Sequence, residues 1–236
     1  MHRNQLVEEL RRLHSEQKNV LLVGPAGIGK TTLLRTLGET LPLIICDETS
    51  SLGRICEYLE SRVGWSHEKL DLIGRKNRLL RHLHTQTDPI AFDHVAETPP
   101  RVARFVGHLL GELPVWIACR SDRRREIGHV WENLYRFVRV EVPPLTEIEA
   151  TRLIEVAVNS GAIQPDAVRH CADLYRISQG SPRTLAELIA ELAARKYNMH
   201  SATGLRLLEL DRRIHKLEDA TGRSLREVAS GCEEQL

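Results

Sequence analysis

Gly24-Pro25-Ala26-Gly27-Ile28-Gly29-Lys30-Thr31 is the stretch whose reading decides the fold. It fits G-x-x-x-x-G-K-[ST] in full, and its flanks supply the context that pattern requires. Val20-Leu21-Leu22-Val23 in front reads as a short buried strand, and Thr32-Leu33-Leu34-Arg35-Thr36-Leu37 behind reads as a helix. Backbone N–H groups that wrap a polyphosphate need dihedrals that glycine adopts cheaply, which accounts for Gly24, Gly27 and Gly29. The helix opening at Lys30 aims its positive end at the same anion. Gly24 to Thr31, with Thr32, is therefore the expected nucleotide cradle. Lys30 is expected to supply a point charge to the β- and γ-phosphates, and the Thr31 hydroxyl to ligate Mg²⁺. The ligand is ATP or GTP, and the absence of a guanine-reading N-K-x-D run favours ATP.

The surroundings of this loop repeat a strand-then-helix rhythm. An amphipathic helix over residues 5 to 17, with Leu6, Val7, Leu10 and Leu13 on one side, precedes the first strand. The loop helix is expected to run from Lys30 to about Leu41, where Pro42 stops it. Further strands are expected at Leu43–Cys46, Pro89–Asp93, Leu113–Cys119 and Phe137–Val142, the last alternating apolar and charged residues as an edge strand does. Helices are expected at 52 to 63 and 70 to 84, broken near Gly64-Trp65-Ser66, and from Pro100 through Leu110. Arg75, Lys76, Arg78 and Arg81 read as a solvated helix face. Strands alternating with helices mean a parallel sheet.

After Pro143-Pro144 only helices follow. Thr146-Glu147-Ile148-Glu149 is a capping box opening a helix to about Ser160; Pro165 opens another to Ser178; Ser181 caps a third that runs to Lys196. A helix over Leu205–Leu217, a break at Gly222 and a short helix after Ser224 complete the reading. The expected domains are 1–144, 145–199 and a tail at 200–236.

Composition narrows the class. The 236 residues are 42% apolar and 28% charged with a net charge of +1, a foldable chain without a global field toward nucleic acid or membrane. Cys46, Cys56, Cys119, Cys171 and Cys232 form no C-x-x-C pair, so neither a disulfide framework nor a zinc site is expected. No apolar leader or run of roughly 18 apolar residues is present, so a cytoplasmic protein without a membrane partner is expected.

Three further positions bear on chemistry. Asp93 ends a strand in a sheet that also holds the phosphate loop, where a carboxylate holds the water shell of Mg²⁺ beside Thr31. The residue after it is His94, and the nearest acid downstream is Glu97; either is a candidate to orient attacking water. Arg120, one residue past the fourth strand, lies on the same rim and would report the γ-phosphate. Arg183, in Gly180-Ser181-Pro182-Arg183, opposes the dipole of its helix and calls for a nearby anion.

Together, Gly24 to Thr31, Asp93, Arg120, Pro143-Pro144-Leu145-Thr146 and Gly180-Ser181-Pro182-Arg183 resemble the AAA+ ATPases. Within them the chain resembles the origin-recognition, transposition-helper and STAND-type branches, over roughly residues 3 to 196. The resemblance implies a P-loop three-layer α/β sandwich with a five-stranded parallel sheet in the order 5-1-4-3-2, followed by a small helical lid. It also implies Asp93 as the Walker B acid, Arg120 near sensor 1, Arg183 as sensor 2 closing the lid on the γ-phosphate, and an inter-subunit arginine finger, for which Arg136 is the first choice. His94 stands where such enzymes carry a second acid, so slow hydrolysis is expected. The implied function is an ATP- and Mg²⁺-dependent switch or remodelling subunit that forms homo-oligomers or meets a protein partner. The alternatives are a DNA-associated helper using Arg75, Lys76, Arg78, Arg81 and Arg123–Arg125, a switch without hydrolysis, and a small-molecule kinase, which would leave Arg183 without a role.

Overall fold

The computed structural model describes residues 3–65, 70–194 and 202–221. Ser66, the helix end at Lys196, the break at Gly222, the helix after Ser224 and Cys232 lie outside the described residues. Contacts divide the chain into two compact units, Met1–Pro144 and Leu145–Leu236.

The first unit is built on β1 (Val20–Val23), β2 (Ile44–Cys46), β3 (Ile90–Val95), β4 (Val115–Cys119) and β5 (Val138–Glu141). They form one parallel sheet in the order β2-β3-β4-β1-β5, which is the order the resemblance implies, with β5 at an edge. β1 and β4, and β3 up to Phe92, are apolar because both faces are covered, and successive residues feed opposite cores. Leu21, Val23, Ile90, Phe92, Val115, Ile117 and Cys119 pack on one side with α3 (Leu52–Val63), α4 (Leu72–Leu83) and α5 (Pro100–Leu109). Val20, Leu22, Ala91, Trp116 and Ala118 pack on the other with α1 (Arg3–Ser15) and α2 (Lys30–Gly38). Each fully buried Leu, Ile or Phe contributes about 1.5–3 kcal/mol to this three-layer packing.

The boundaries differ from the sequence reading: α1 is Arg3–Ser15, β3 runs on through His94 to Val95, α10 is the longer Ala202–Thr221, and three further differences have local causes. α2 ends at Gly38 instead of Leu41: the N–H groups of both Thr40 and Leu41 turn back to the Leu37 carbonyl, a tight turn made before Pro42. Between β4 and β5, where no helix was expected, lie α6 (Arg124–Ile127) and a 3₁₀ helix over His129–Arg136. Their apolar residues, Ile127, Val130, Leu134 and Phe137, recur at three and four residues over too short a span to declare a helix. The stretch Pro165–Ser178 is two elements, a 3₁₀ helix to His170 and α8 (Cys171–Ser178).

The segment after β3 is pinned to this β4–β5 connection. Thr98, 2% exposed, donates its hydroxyl to the Ile127 carbonyl at 2.6 Å and accepts from the Val130 N–H at 3.0 Å. Gly128 passes over Thr98 with φ +73°, and a Cβ there would sit 2.3 Å from the Thr98 nitrogen and 2.6 Å from its carbonyl oxygen. Gly128→Ala should therefore cost about 2–3 kcal/mol. Urea unfolding would read this as a lower midpoint; an unchanged midpoint would contradict the packing described.

The α4 cations are not the uniformly solvated face that the sequence suggested. Arg75 donates Nε and Nη2 to Glu60 Oε2 at 2.9 and 2.6 Å, and the Glu60 side chain is only 6% exposed. Arg78 places its guanidinium 4.2 Å from the centroid of the Trp65 ring. The pairing arises because α3 and α4 lie side by side on one face of the sheet, a proximity that a single-helix charge pattern does not encode. Arg75→Ala strands a buried carboxylate and should cost about 2–3 kcal/mol, below the full buried-pair figure because Arg75 is partly solvated. The double change Glu60→Gln, Arg75→Ala should recover part of that loss in the same unfolding measurement.

The second unit packs α7 (Glu147–Asn159), α8, α9 (Pro182–Ala193) and α10 (Ala202–Thr221) around Leu145, Ile154, Leu174, Leu185, Leu188 and Leu208. Thr146 caps α7 reciprocally with Glu149. α10 joins this core through Leu208 and through Arg212, which donates to Glu187 and Glu191 at 2.9 and 3.1 Å. No described helix is long and apolar enough to cross a membrane.

Candidate nucleotide site

Strand register brings the expected residues to one rim. Val23 of β1 pairs with Cys119 of β4, and Cys119 with Val95 of β3, so the loop after β1, the end of β3 and Arg120 after β4 emerge side by side. The loop continues the sheet for one more bond, Gly24 N–H to the Cys119 carbonyl, and then turns through Gly27 (φ +77°) and Gly29 (φ +96°) into α2. These left-handed dihedrals let successive N–H groups face one concavity, the anion nest of a phosphate loop. Thr32 is exposed on the first turn of α2. Behind the loop, Arg3 donates Nη2 to the carbonyls of Ile28 at 2.6 Å and Pro143 at 3.3 Å. The sequence reading missed Arg3, since a cation ahead of an amphipathic helix carries no spacing that points to a loop 25 residues away.

Lys30 lies across the mouth of its own loop, its Nζ on the carbonyls of Gly24 (2.5 Å) and Pro25 (3.0 Å). Burial pushes its pKa below the ordinary lysine value; the carboxylate of Asp93 acts the other way, and Arg120 adds to the lowering. An ammonium whose lost hydration is only partly replaced gains from an arriving polyphosphate. Arg120 itself, one residue past β4, is exposed. The neighbouring thiol of Cys119 is pushed up to about 11 by burial, so it is a neutral packing group at neutral pH.

Asp93 is 1% exposed. Its Oδ1 accepts the His94 N–H at 2.8 Å, while its buried Oδ2 has no hydrogen-bond partner. His94 Nε2 lies 3.5 Å from that oxygen without hydrogen-bond alignment, and 3.5 Å from the Thr31 hydroxyl oxygen. The imidazole reaches this position through a bulge: between the pairs Phe92–Ile117 and Val95–Cys119, two residues of β3 face one of β4, and His94 takes φ +55°. Such a conformation costs a non-glycine residue about 1–3 kcal/mol. Glu97 is also left-handed, at φ +44°, and its N–H is tied to the Glu126 carbonyl. Of the two candidates to orient water, His94 is the one in contact with Thr31 and Asp93.

The donor set fits a divalent cation that arrives with a nucleotide. A buried carboxylate oxygen without a partner is the uncompensated charge that such a cation would neutralise. Among the described residues, no three His, Cys, Asp or Glu side chains converge to hold a metal unaided. Phosphate oxygens would have to complete the shell, as is usual for Mg²⁺.

Two expected residues have other partners. Arg136 donates Nη2 to the Leu110 carbonyl at 2.8 Å, ahead of β5 and so toward the end of the sheet away from the loop. Arg183, 73% exposed in its side chain, bonds Glu187 Oε1 at 3.0 Å one turn along α9. The anion that its position calls for is thus found within its own helix.

Comparison with known proteins agrees with this geometry. Residues 11–106 match the AAA domain family. No curated protein matches the sequence. Among solved structures, the Orc1 protein of Aeropyrum pernix, solved in complex with DNA, superposes with a TM-score of 0.64 at 18% identity, covering 93% of this chain and 67% of that one. Cdc6p of Pyrobaculum aerophilum gives 0.61 at 15% identity over 94% and 63%. The Walker-type ATPase PABY2304 of Pyrococcus abyssi gives 0.62 at 15% identity over 95% and 76%. The chain thus spans about two thirds of the length of the first two, and at these identities the likeness is one of fold. Residues 11–106 are thus similar to the AAA domain family, and the first unit has the P-loop α/β fold, a five-stranded parallel sheet with a phosphate loop after its first strand.

Proposed function

We propose that the protein binds ATP with a divalent cation at the rim formed by Gly24–Thr32, Asp93 and Arg120, and hydrolyses it slowly as a nucleotide-driven switch. One observation carries the reading: the unpartnered buried oxygen of Asp93 beside Thr31, at the foot of a loop in which Gly27 and Gly29 are already left-handed. In this reading Lys30 leaves its carbonyls for the phosphates, the N–H groups of the loop hold the anion, and Arg120 stabilises charge on the γ-phosphoryl group. The bound cation would neutralise phosphate charge. Thr31 and Asp93 would orient it, with His94 beside them at the position of a second acid. Arg136 is proposed to act across a subunit boundary in a homo-oligomer.

Binding of a fluorescent ATP analogue and steady-state phosphate release by the purified protein test this directly. Saturable binding with turnover well below 1 s⁻¹, against roughly 1–10³ s⁻¹ for typical enzymes, is the expected result. Absence of binding would overturn the reading, and binding without turnover would leave a switch. Sedimentation with and without ATP tests assembly.

A second reading, duplex DNA as partner, is favoured by one surface feature. Arg123, Arg124 and Arg125 are exposed in succession, with Arg124 over the Trp131 ring at 5.6 Å and Tyr135 85% exposed beyond it. Orc1, of the same fold, was solved with DNA. Affinity for duplex DNA that falls steeply with salt, and falls further in Arg123→Ala, Arg125→Ala, would support it.

A further inference from the structure

We propose that His94 is an inner-sphere nitrogen ligand of the cation that accompanies the nucleotide, and that the site consequently prefers Mn²⁺ or Co²⁺ over Mg²⁺. The inference deepens the ATP reading and rests on it.

Three observations converge. First, Nε2 of His94 is 3.5 Å from both Thr31 Oγ1 and Asp93 Oδ2, the two oxygens proposed to serve the cation. Two ligands about 2.1 Å from one metal ion are separated by roughly 3 to 4 Å, depending on geometry. The imidazole nitrogen therefore already stands at the spacing of a shared coordination sphere from each of the two oxygens. Secondly, Asp93 Oδ2 is buried and has no hydrogen-bond partner, so the site presents a charge that is not satisfied from within the chain. Thirdly, the imidazole is delivered by a strained backbone. The bulge and the φ of +55° turn His94 toward Thr31, and the Asp93 side chain holds the turn by accepting the His94 N–H. A histidine serving only as a surface residue would need none of this.

The chemistry of the donor decides the metal. Mg²⁺ is hard, takes oxygen ligands and keeps its water, whereas imidazole nitrogen suits the first-row transition ions, with affinity rising from Mn²⁺ to Co²⁺. A carboxylate, a hydroxyl, an imidazole and phosphate oxygens form a mixed set that Mn²⁺ accepts readily. Because the described residues supply only two of the stronger ligands, the ion should be held tightly only in the presence of nucleotide.

The test uses the full chain and a fluorescent ATP analogue titrated in EDTA, in saturating Mg²⁺ and in saturating Mn²⁺, beside His94→Asn. Asparagine tolerates the left-handed backbone, so this variant preserves the bulge while removing the imidazole. Electron spin-echo spectroscopy of the Mn²⁺–nucleotide complex, read for ¹⁴N coupling from a coordinated imidazole, gives a signal independent of turnover. Wild-type protein should bind the analogue about tenfold more tightly with Mn²⁺ than with Mg²⁺, show the ¹⁴N coupling, and lose both in His94→Asn. Nucleotide binding that is intact but equal in the two metals, with no ¹⁴N coupling, would overturn the ligand role alone. No binding in any metal would overturn it together with the ATP reading.

Discussion

Lys30→Ala should weaken binding of the ATP analogue at least 100-fold while leaving the unfolding midpoint within about 0.5 kcal/mol of wild type. The two halves of this expectation have different sources. Two charge-assisted contacts to phosphate oxygens contribute about 1.5–3 kcal/mol each, and a loss of about 3 kcal/mol is a little over 100-fold in Kd. In the free protein, by contrast, the Lys30 ammonium only spans two carbonyls of its own loop and is already partly deprived of water. Its removal gives up two bonds but also relieves that desolvation, so the fold should scarcely register the change. Titration calorimetry and urea unfolding on the same samples check both. A variant that binds ATP normally would remove Lys30 from the site, whereas one that is strongly destabilised would mean the lysine is structural.

Asp93→Asn should reduce cation-dependent phosphate release by 10²–10³-fold and at the same time stabilise the fold by about 1 kcal/mol. The side chain lies in the interior with one oxygen unpartnered, and a charge so placed is costly to bury. The amide retains an oxygen to accept the His94 N–H and removes the charge, hence the gain. The same charge is what would draw the cation against Thr31, hence the loss. Stability rising as function falls is the signature of a residue kept for its site. If Asp93→Asn were instead destabilising with turnover intact, the carboxylate would be a packing element and the cation would be held elsewhere.

The sequence was most informative where the determinants are local. The phosphate loop, the apolar strands and the caps at Thr146 and Ser181 are each contained in fewer than ten residues, and the structure has them where the pattern puts them. Strand order is a different matter. Nothing in the periodicity of Val20–Val23 says that β4 and β5 flank it, and the order came only from the family resemblance. What the sequence hid is non-local or conformational. Arg75 meets Glu60 across two helices, Arg3 meets Ile28 across an entire strand, and Arg183 finds its anion in Glu187. His94 showed only as an irregularity of composition, a histidine in place of an acid. Its left-handed backbone depends on the bulge opposite β4, and pairing across strands leaves no mark on one strand's own residues.

Arg3 carries a mechanical implication. One guanidinium grips the carbonyl of Ile28 inside the phosphate loop and the carbonyl of Pro143 where the chain leaves the sheet. It behaves as a tie-rod of fixed length, running behind the β-strands instead of through them. Any tilt that a bound polyphosphate imposed on the Ile28 peptide would stretch or release that rod. Such a displacement would reach Pro143, one residue before the first unit ends.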